Sequence, residues 1–194
     1  MAEIHAAADT YRASTQRFAL DFAHLLDQPL AAIQQLFADF PRQVEDLRMH
    51  TDELRQHLAP YLGTADHGAC HGDMSGGNST YWHGQVIHFD FDCAGPGWRA
   101  YDLGVFYWSL WLNSHGDDVW QPFLRGYRAD RRIAEADLLC VPAFAALRAI
   151  WLMGLWCANA PHFGYHTLHA DYFAREYQRF HELYTRAKQA LGAI

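Results

Sequence analysis

The chain has 194 residues, 51% of them apolar, with seven Trp, ten Tyr and twelve Phe; that suffices for one packed domain or one large lobe and excludes a wholly disordered chain. Its formal charge of −7, with Lys188 as the single lysine, excludes a general nucleic-acid binder, which needs clustered cations to neutralise phosphates. Four cysteines without a CxxC pair are expected to be reduced thiols in a cytoplasmic protein, and the opening residues lack the basic start and apolar centre of a signal peptide.

Residues 2–14 predict a short helix, and residues 28–40 a second one with Pro29 in its first turn. Residues 41–60 place Val44, Leu47, Leu54 and Leu58 on one helical face, with Pro60 and Gly63 as terminators. The texture then changes. Residues 67–73 are turn-rich, residues 79–82 and 85–91 read as short strands joined by the hairpin pair His83-Gly84, and residues 93–98 (CAGPGW) read as a loop. Residues 99–114 are apolar nearly all round and predict a central buried helix. Residues 117–130 are amphipathic. Residues 138–160 are long enough to cross a bilayer, but Arg148 sits in their middle beside Pro142 and Asn159, so a buried core helix is expected and no membrane contact. A last helix over residues 170–192 turns Tyr172, Phe173, Tyr177, Phe180 and Leu183 inward. The expected fold class is α+β, predominantly α, with a small β insert.

That insert and its flanks hold Asp73, Asn78, Asp90, Asp92 and Asp102. Crowded carboxylates need a counter-charge. Mg²⁺ takes oxygen ligands, commonly one or two from protein and the rest from phosphates and water, and Asn78 and Asp90 can supply two such oxygens from two loops. Asp73 lies in a loop made pliant by Gly72, Gly76 and Gly77, where a carboxylate can accept a proton from a substrate hydroxyl.

The order His71-Gly72-Asp73-x4-Asn78, then Asp90-Phe91, then Tyr101-Asp102-Leu103 resembles the aminoglycoside phosphotransferase superfamily, with its choline kinase relatives and protein-kinase-like fold. The matching protein-kinase signatures are H-R-D-x4-N and D-F-G; here Gly72 replaces the arginine and Asp92 the glycine. The resemblance implies that Asp73 orients or deprotonates the acceptor hydroxyl. Asn78 and Asp90 would hold Mg²⁺ on the phosphates of ATP. His71 and Asp102 would support the loop, and Asp92 and Ser75 would stand near the substrate or behind the ligands. The glycine-rich loop, strand lysine and helix glutamate of such kinases precede the catalytic loop, and no lysine precedes His71 here. Residues 1–194 are therefore expected to form a single C-terminal lobe, its β-hairpin carrying the catalytic and metal loops, without the N-terminal nucleotide-binding lobe.

The expected reaction is ATP-dependent transfer of the γ-phosphoryl group to a hydroxyl of a small molecule. The alternatives are a catalytically incompetent lobe acting as a binding or assembly module, which self-associates or docks a separate N-terminal lobe, and a relative that phosphorylates protein Ser or Thr. Three further patterns carry less weight. The stretch Gly72–Ser79 has the glycine frame of a P-loop, but Asn78 stands where the lysine must be. His162, His166 and His169 have helical spacing for a zinc site, yet Pro161 and Gly164 predict a loop. Cys70 beside His71 suits a small buried residue ending a strand better than a thiol nucleophile.

Overall fold

The computed structural model describes residues 1–11 and 17–192, so residues 12–14 of the first predicted helix lie outside the described residues. The elements run α1 (Ala2–Thr10), α2 (Gln28–Leu36), α3 (Pro41–Leu62), β1 (His67–Cys70), β2 (Ser79–Trp82), β3 (Gln85–His88), β4 (Gly95–Trp98), α4 (Arg99–Leu112), α5 (Asp117–Asp130), α6 (Glu135–Phe163) and α7 (Ala170–Leu191). The body is helical, and its centre is α6, against which α2, α3, α4 and α7 pack.

The reason lies in the composition of α6. Its stretch from Ala143 to Ile150 is buried throughout, and the small residues within it let neighbouring helices come close. At Gly104 of α4 an added Cβ would sit 2.5 Å from the Cβ of Phe144, so this crossing depends on glycine. Tyr101, Phe144, Phe173, Phe180, Leu47, Leu54 and Leu58 fill the surrounding core, each contributing about 1.5–3 kcal/mol by burial. Among the described residues α6 is the one helix long and apolar enough to cross a membrane, and 72% of its most apolar stretch is buried inside the protein.

Several sequence expectations are corrected. Helix α2 stops at Leu36, short of residue 40. Helix α3 continues past Pro60 to Leu62, because a proline this close to a C-terminus forfeits a single helical bond and two more residues still pack. The second half of α4 is only partly covered, with Phe106, Tyr107, Trp108 and Trp111 half-buried. On α7, Phe173, Phe180 and Leu183 are buried with Tyr184 and Ala187, while Tyr172 and Tyr177 lie at the core's edge.

The larger difference concerns strands. The turn-rich residues 67–70 and the glycine-proline run 95–98 form an antiparallel pair, β1 with β4, in the register Cys70↔Gly95 to His67↔Trp98. Leu20 extends this sheet, its N–H donating to the Pro96 carbonyl at 2.7 Å. Glycine and proline read as loop in isolation, and only cross-chain pairing makes this run a strand. Strands β2 and β3 pair antiparallel across His83 and Gly84, both at positive φ, the geometry of a tight primed turn.

A charged network pins α1 to this sheet. Asp9 bonds Arg99 at 2.6 Å and Arg131 at 2.7 Å, and Asp66 bonds the same two arginines at 3.0 Å and 2.9 Å. Alternating signs at four corners make each charge serve two partners, so the network orders fewer side chains per contact than isolated surface pairs. Arg131, then Arg99, hold the Asp9 carboxyl down from its ordinary 3.8 to about 2.

Two outcomes are expected. Gly104→Val should cost about 1–3 kcal/mol by forcing α4 from α6, read as a lower urea midpoint. The depressed Asp9 value stabilises the fold above the ordinary carboxylate range, and this is lost as pH falls through about 2. Asp9→Asn should therefore flatten the loss of stability between about pH 4 and 2, and an unchanged acid-denaturation curve would refute the network's role.

Candidate active site

The acidic stretch folds into two loops with common anchors. Residues 71–78 leave β1 and enter β2; residues 89–94 leave β3 and enter β4. Because Cys70 pairs with Gly95 and Ser79 pairs with His88, the ends of one loop are hydrogen-bonded neighbours of the ends of the other. The two loops must run side by side.

Beneath them lies Asp102, wholly buried in the first turn of α4. Strand β4 runs directly into this helix, which brings the carboxylate under the end of β1. Its Oδ2 accepts the His71 backbone N–H at 2.8 Å and its Oδ1 accepts that of Gly72 at 2.8 Å. Gly72 has φ +80°, and a Cβ there would lie 2.0 Å from the Cys93 carbonyl oxygen, so glycine is required by both backbone and space. A third bond comes from an unforeseen residue. His5 of α1, also wholly buried, reaches Asp102 Oδ2 through Nε2 at 2.9 Å and the Tyr127 hydroxyl through Nδ1 at 2.8 Å. Burial raises the Tyr127 phenol above its ordinary value, which keeps it a neutral partner.

His71 links the two loops. Its Nε2 meets the Phe89 carbonyl at 2.9 Å, and a carbonyl only accepts, so Nε2 carries the proton. Its Nδ1 then accepts the Asp73 backbone N–H at 3.2 Å. The ring packs on Phe91 with centroids 4.4 Å apart.

Asp73 is partly exposed, and its Oδ1 accepts from Arg148 Nη2 at 2.5 Å. Arg148 comes from the middle of α6 and is 3% exposed. Its guanidinium lies over Trp151 and Trp108 and also reaches the Gly72 carbonyl. Neither Arg148 nor His5 is assigned to the site by sequence reasoning. For Arg148 a signal exists: a lone arginine in a buried helix needs a charged partner. For His5, one histidine in an alanine-rich helix carries none.

Asn78 donates Nδ2–H to the Asp73 carbonyl at 2.9 Å, which leaves its amide oxygen as the free end. Ser75 acts through its backbone, donating N–H to the Asp73 carbonyl and accepting that of Asn78. Asp90 is exposed and left-handed, with φ 65° and ψ 61°, a conformation that Asp tolerates better than most residues. Among the described residues it has no ion-pair partner. Asp92 is exposed too, and its carbonyl and that of Ala94 accept from Arg17. An amide oxygen and a carboxylate are each donors of the kind that a hard divalent cation accepts. Asp73, Asn78 and Asp90 lie outside the groove of about 1450 Å³ that opens beside them between α1, residues 17–19 and the β1–β4 pair.

Cys70 ends β1, is 3% exposed, and burial pushes its thiol well up; this is a packed residue, not a nucleophile. His162, in the last turn of α6, and His166 and His169 beyond it are exposed, and no shared ligand position forms among them in the described residues.

An uncharacterized protein of Deinococcus radiodurans is 40% identical over 177 residues, 89% of this chain and 52% of that protein. The chain spans about half the length of the curated relatives it matches. Among solved structures, amicoumacin kinase hAmiN in complex with AMP-PNP, Ca²⁺ and Ami superposes with a TM-score of 0.65 at 20% identity, over 95% of this chain and 56% of that one. The microcompartment-associated aminopropanol kinase superposes with a TM-score of 0.67 at 20% identity, over 99% and 60%. Similarity at that level shows a shared, mostly helical kinase-like fold. The model of the phosphotransferase enzyme family matches residues 1–137, which include both acidic loops and the turn of α4 that holds them, and the chain belongs to that family.

Proposed function

We propose that these residues form the C-terminal, acceptor-side lobe of a small-molecule phosphotransferase that uses ATP. The observation that carries the reading is the shared anchoring of the two loops, joined again by His71 between Asp73 and the Phe89 carbonyl. Asp73, Asn78 and Asp90 thereby come from adjoining backbone segments.

Arg148 takes one Asp73 oxygen and fixes the carboxylate's orientation, which leaves Oδ2 to accept a hydrogen bond from the acceptor hydroxyl. The carboxylate's work there is chiefly to aim the hydroxyl. That suits a loose phosphoryl-transfer transition state, in which positioning and charge neutralisation dominate. Asn78 Oδ1 and Asp90 would hold Mg²⁺, which supplies the positive charge that the phosphates need. Asp102 and His71 keep the loops in register, and Ser75 braces the Asp73 turn. Asp92 faces solvent where an acceptor's amine could pair with it. An amino alcohol is the favoured acceptor class, in keeping with the net charge of −7 and with the aminopropanol kinase neighbour. Groups for the α- and β-phosphates would come from outside residues 1–194.

A second reading, an assembly module, is favoured by the hairpin. Tyr81, Trp82, Val86 and Ile87 are 73%, 63%, 59% and 45% exposed; the register puts Tyr81 with Val86 on one side of the hairpin and Trp82 with Ile87 on the other, so apolar surface beside the acidic loops is left for a nucleotide-binding lobe to cover.

Calorimetry with Mg²⁺-ATP tests the proposal. Magnesium-dependent binding in the millimolar range is expected, lost in Asp90→Ala and kept in Asp73→Asn. No heat at millimolar nucleotide, with the chain folded, would sink the catalytic reading and leave the assembly reading. The Asp73–Arg148 pair is tested by a double-mutant cycle on stability. Arg148→Met alone should cost about 1–3 kcal/mol, since it strips a half-buried carboxylate of its partner, and adding Asp73→Asn should recover part of that loss. Strict additivity would show that the pair does not position Asp73.

A further inference from the structure

The α3–α7 interface, which contributes nothing to the acidic loops, carries a second group of ligand-type side chains. Asp46 and His50 stand one turn apart on α3, and His181 faces them from α7. Asp46 Oδ2 meets His181 Nε2 at 2.8 Å and accepts from the Tyr177 hydroxyl. His50 Nδ1 lies 3.6 Å from the same oxygen, and all three ligand atoms lie within 4.8 Å of one another. The two imidazoles meet edge to face at 4.8 Å, and the His50 ring packs on Tyr184 at 4.2 Å.

A hydrogen-bonded helix contact accounts for Tyr177, Asp46 and His181. It does not account for His50, whose Nδ1 is buried without a hydrogen-bond partner. Buried ring nitrogens are ordinarily paired, and an orphan at the centre of other ligand atoms calls for an occupant.

We propose that Asp46, His50 and His181 bind a divalent transition-metal ion of the zinc type, which clamps α7 to α3. Two imidazole nitrogens and one carboxylate oxygen are a zinc ligand set with a fourth position for water, and the half-exposed side chains give that water access. Mg²⁺ and Ca²⁺ prefer all-oxygen shells and are poorly served here. Tetrahedral zinc holds its ligand atoms about 3.4 Å apart. The two contacts to Asp46, at 2.8 Å and 3.6 Å, lie on either side of that spacing, and the two imidazole nitrogens lie within 4.8 Å of each other, so binding asks for the imidazoles to close on the ion by side-chain adjustment. Tyr177 would remain on Asp46 as the hydrogen bond that orients the ligand.

The test is titration of the whole chain with ZnCl₂. One equivalent should bind saturably, MgCl₂ should not compete, and Tm should rise by about 5–10 °C at zinc about a hundredfold above Kd, with reversal by EDTA. His50→Gln and His181→Gln should each weaken binding about tenfold or more, whereas a His162→Asn, His166→Asn double variant should bind as before. Co²⁺ should give the visible absorption bands of a four- or five-coordinate nitrogen–oxygen site, a readout that stands even if a variant fails to fold. Zinc binding that survives both His50→Gln and His181→Gln, or that is lost with His166, overturns the proposal; so does the absence of saturable binding and of a cobalt spectrum.

Discussion

One buried carboxylate sets the geometry of the acidic end of this molecule. Asp102 is wholly buried; its oxygens are satisfied by two backbone N–H groups of the loop that starts at His71 and by the ring of His5. A buried carboxylate left without such donors would cost several kcal/mol, so the three bonds must form together or not at all. In forming they join α4, the loop after β1 and the first helix of the chain. The loop cannot shift without breaking the charge's solvation, and α1 cannot leave without exposing one of its acceptors.

The same logic runs outward through shared partners. His71, held at its backbone by Asp102, spends one ring nitrogen on the second loop and the other on Asp73. Arg148, unable to stay buried alone in α6, reaches up to Asp73 and to the Gly72 carbonyl. Each of these groups is costly by itself and stable only within the set, which is how a rigid loop cluster arises on a body of helices. The groups with no such obligation, Asp90 and Asp92, are exposed and free to meet something that comes from outside.

Much of the fold is legible in the residue pattern, and the exceptions share a cause. The long helices announce themselves by spacing: Leu47, Leu54 and Leu58 fall on one face of α3, and the apolar run around Arg148 becomes the central helix. The hairpin turn is legible from His83-Gly84, because a local dihedral requirement selects those residues. Strand β4 is not legible, since nothing within a glycine-proline-glycine run says that β1 and Leu20 lie alongside it. The half-open side of α4 is hidden for a like reason. Its aromatic residues read as core, and only the placement of neighbouring helices decides which of them are covered.

The acidic residues show the same division. The order and spacing of His71, Asp73, Asn78, Asp90 and Asp102 resemble the motifs of the phosphotransferase family, and that resemblance groups them as a candidate set. Sequence also marks Arg148 as a charge in need of a partner, without naming it. The partners themselves, Arg148 for Asp73, His5 for Asp102, and His181 for Asp46, belong to tertiary structure. The bonded pairs Asp73–Arg148, His5–Asp102 and Asp46–His181 are separated by 75, 97 and 135 residues along the chain, and no local preference can encode a contact between groups that only helix packing brings within 3 Å.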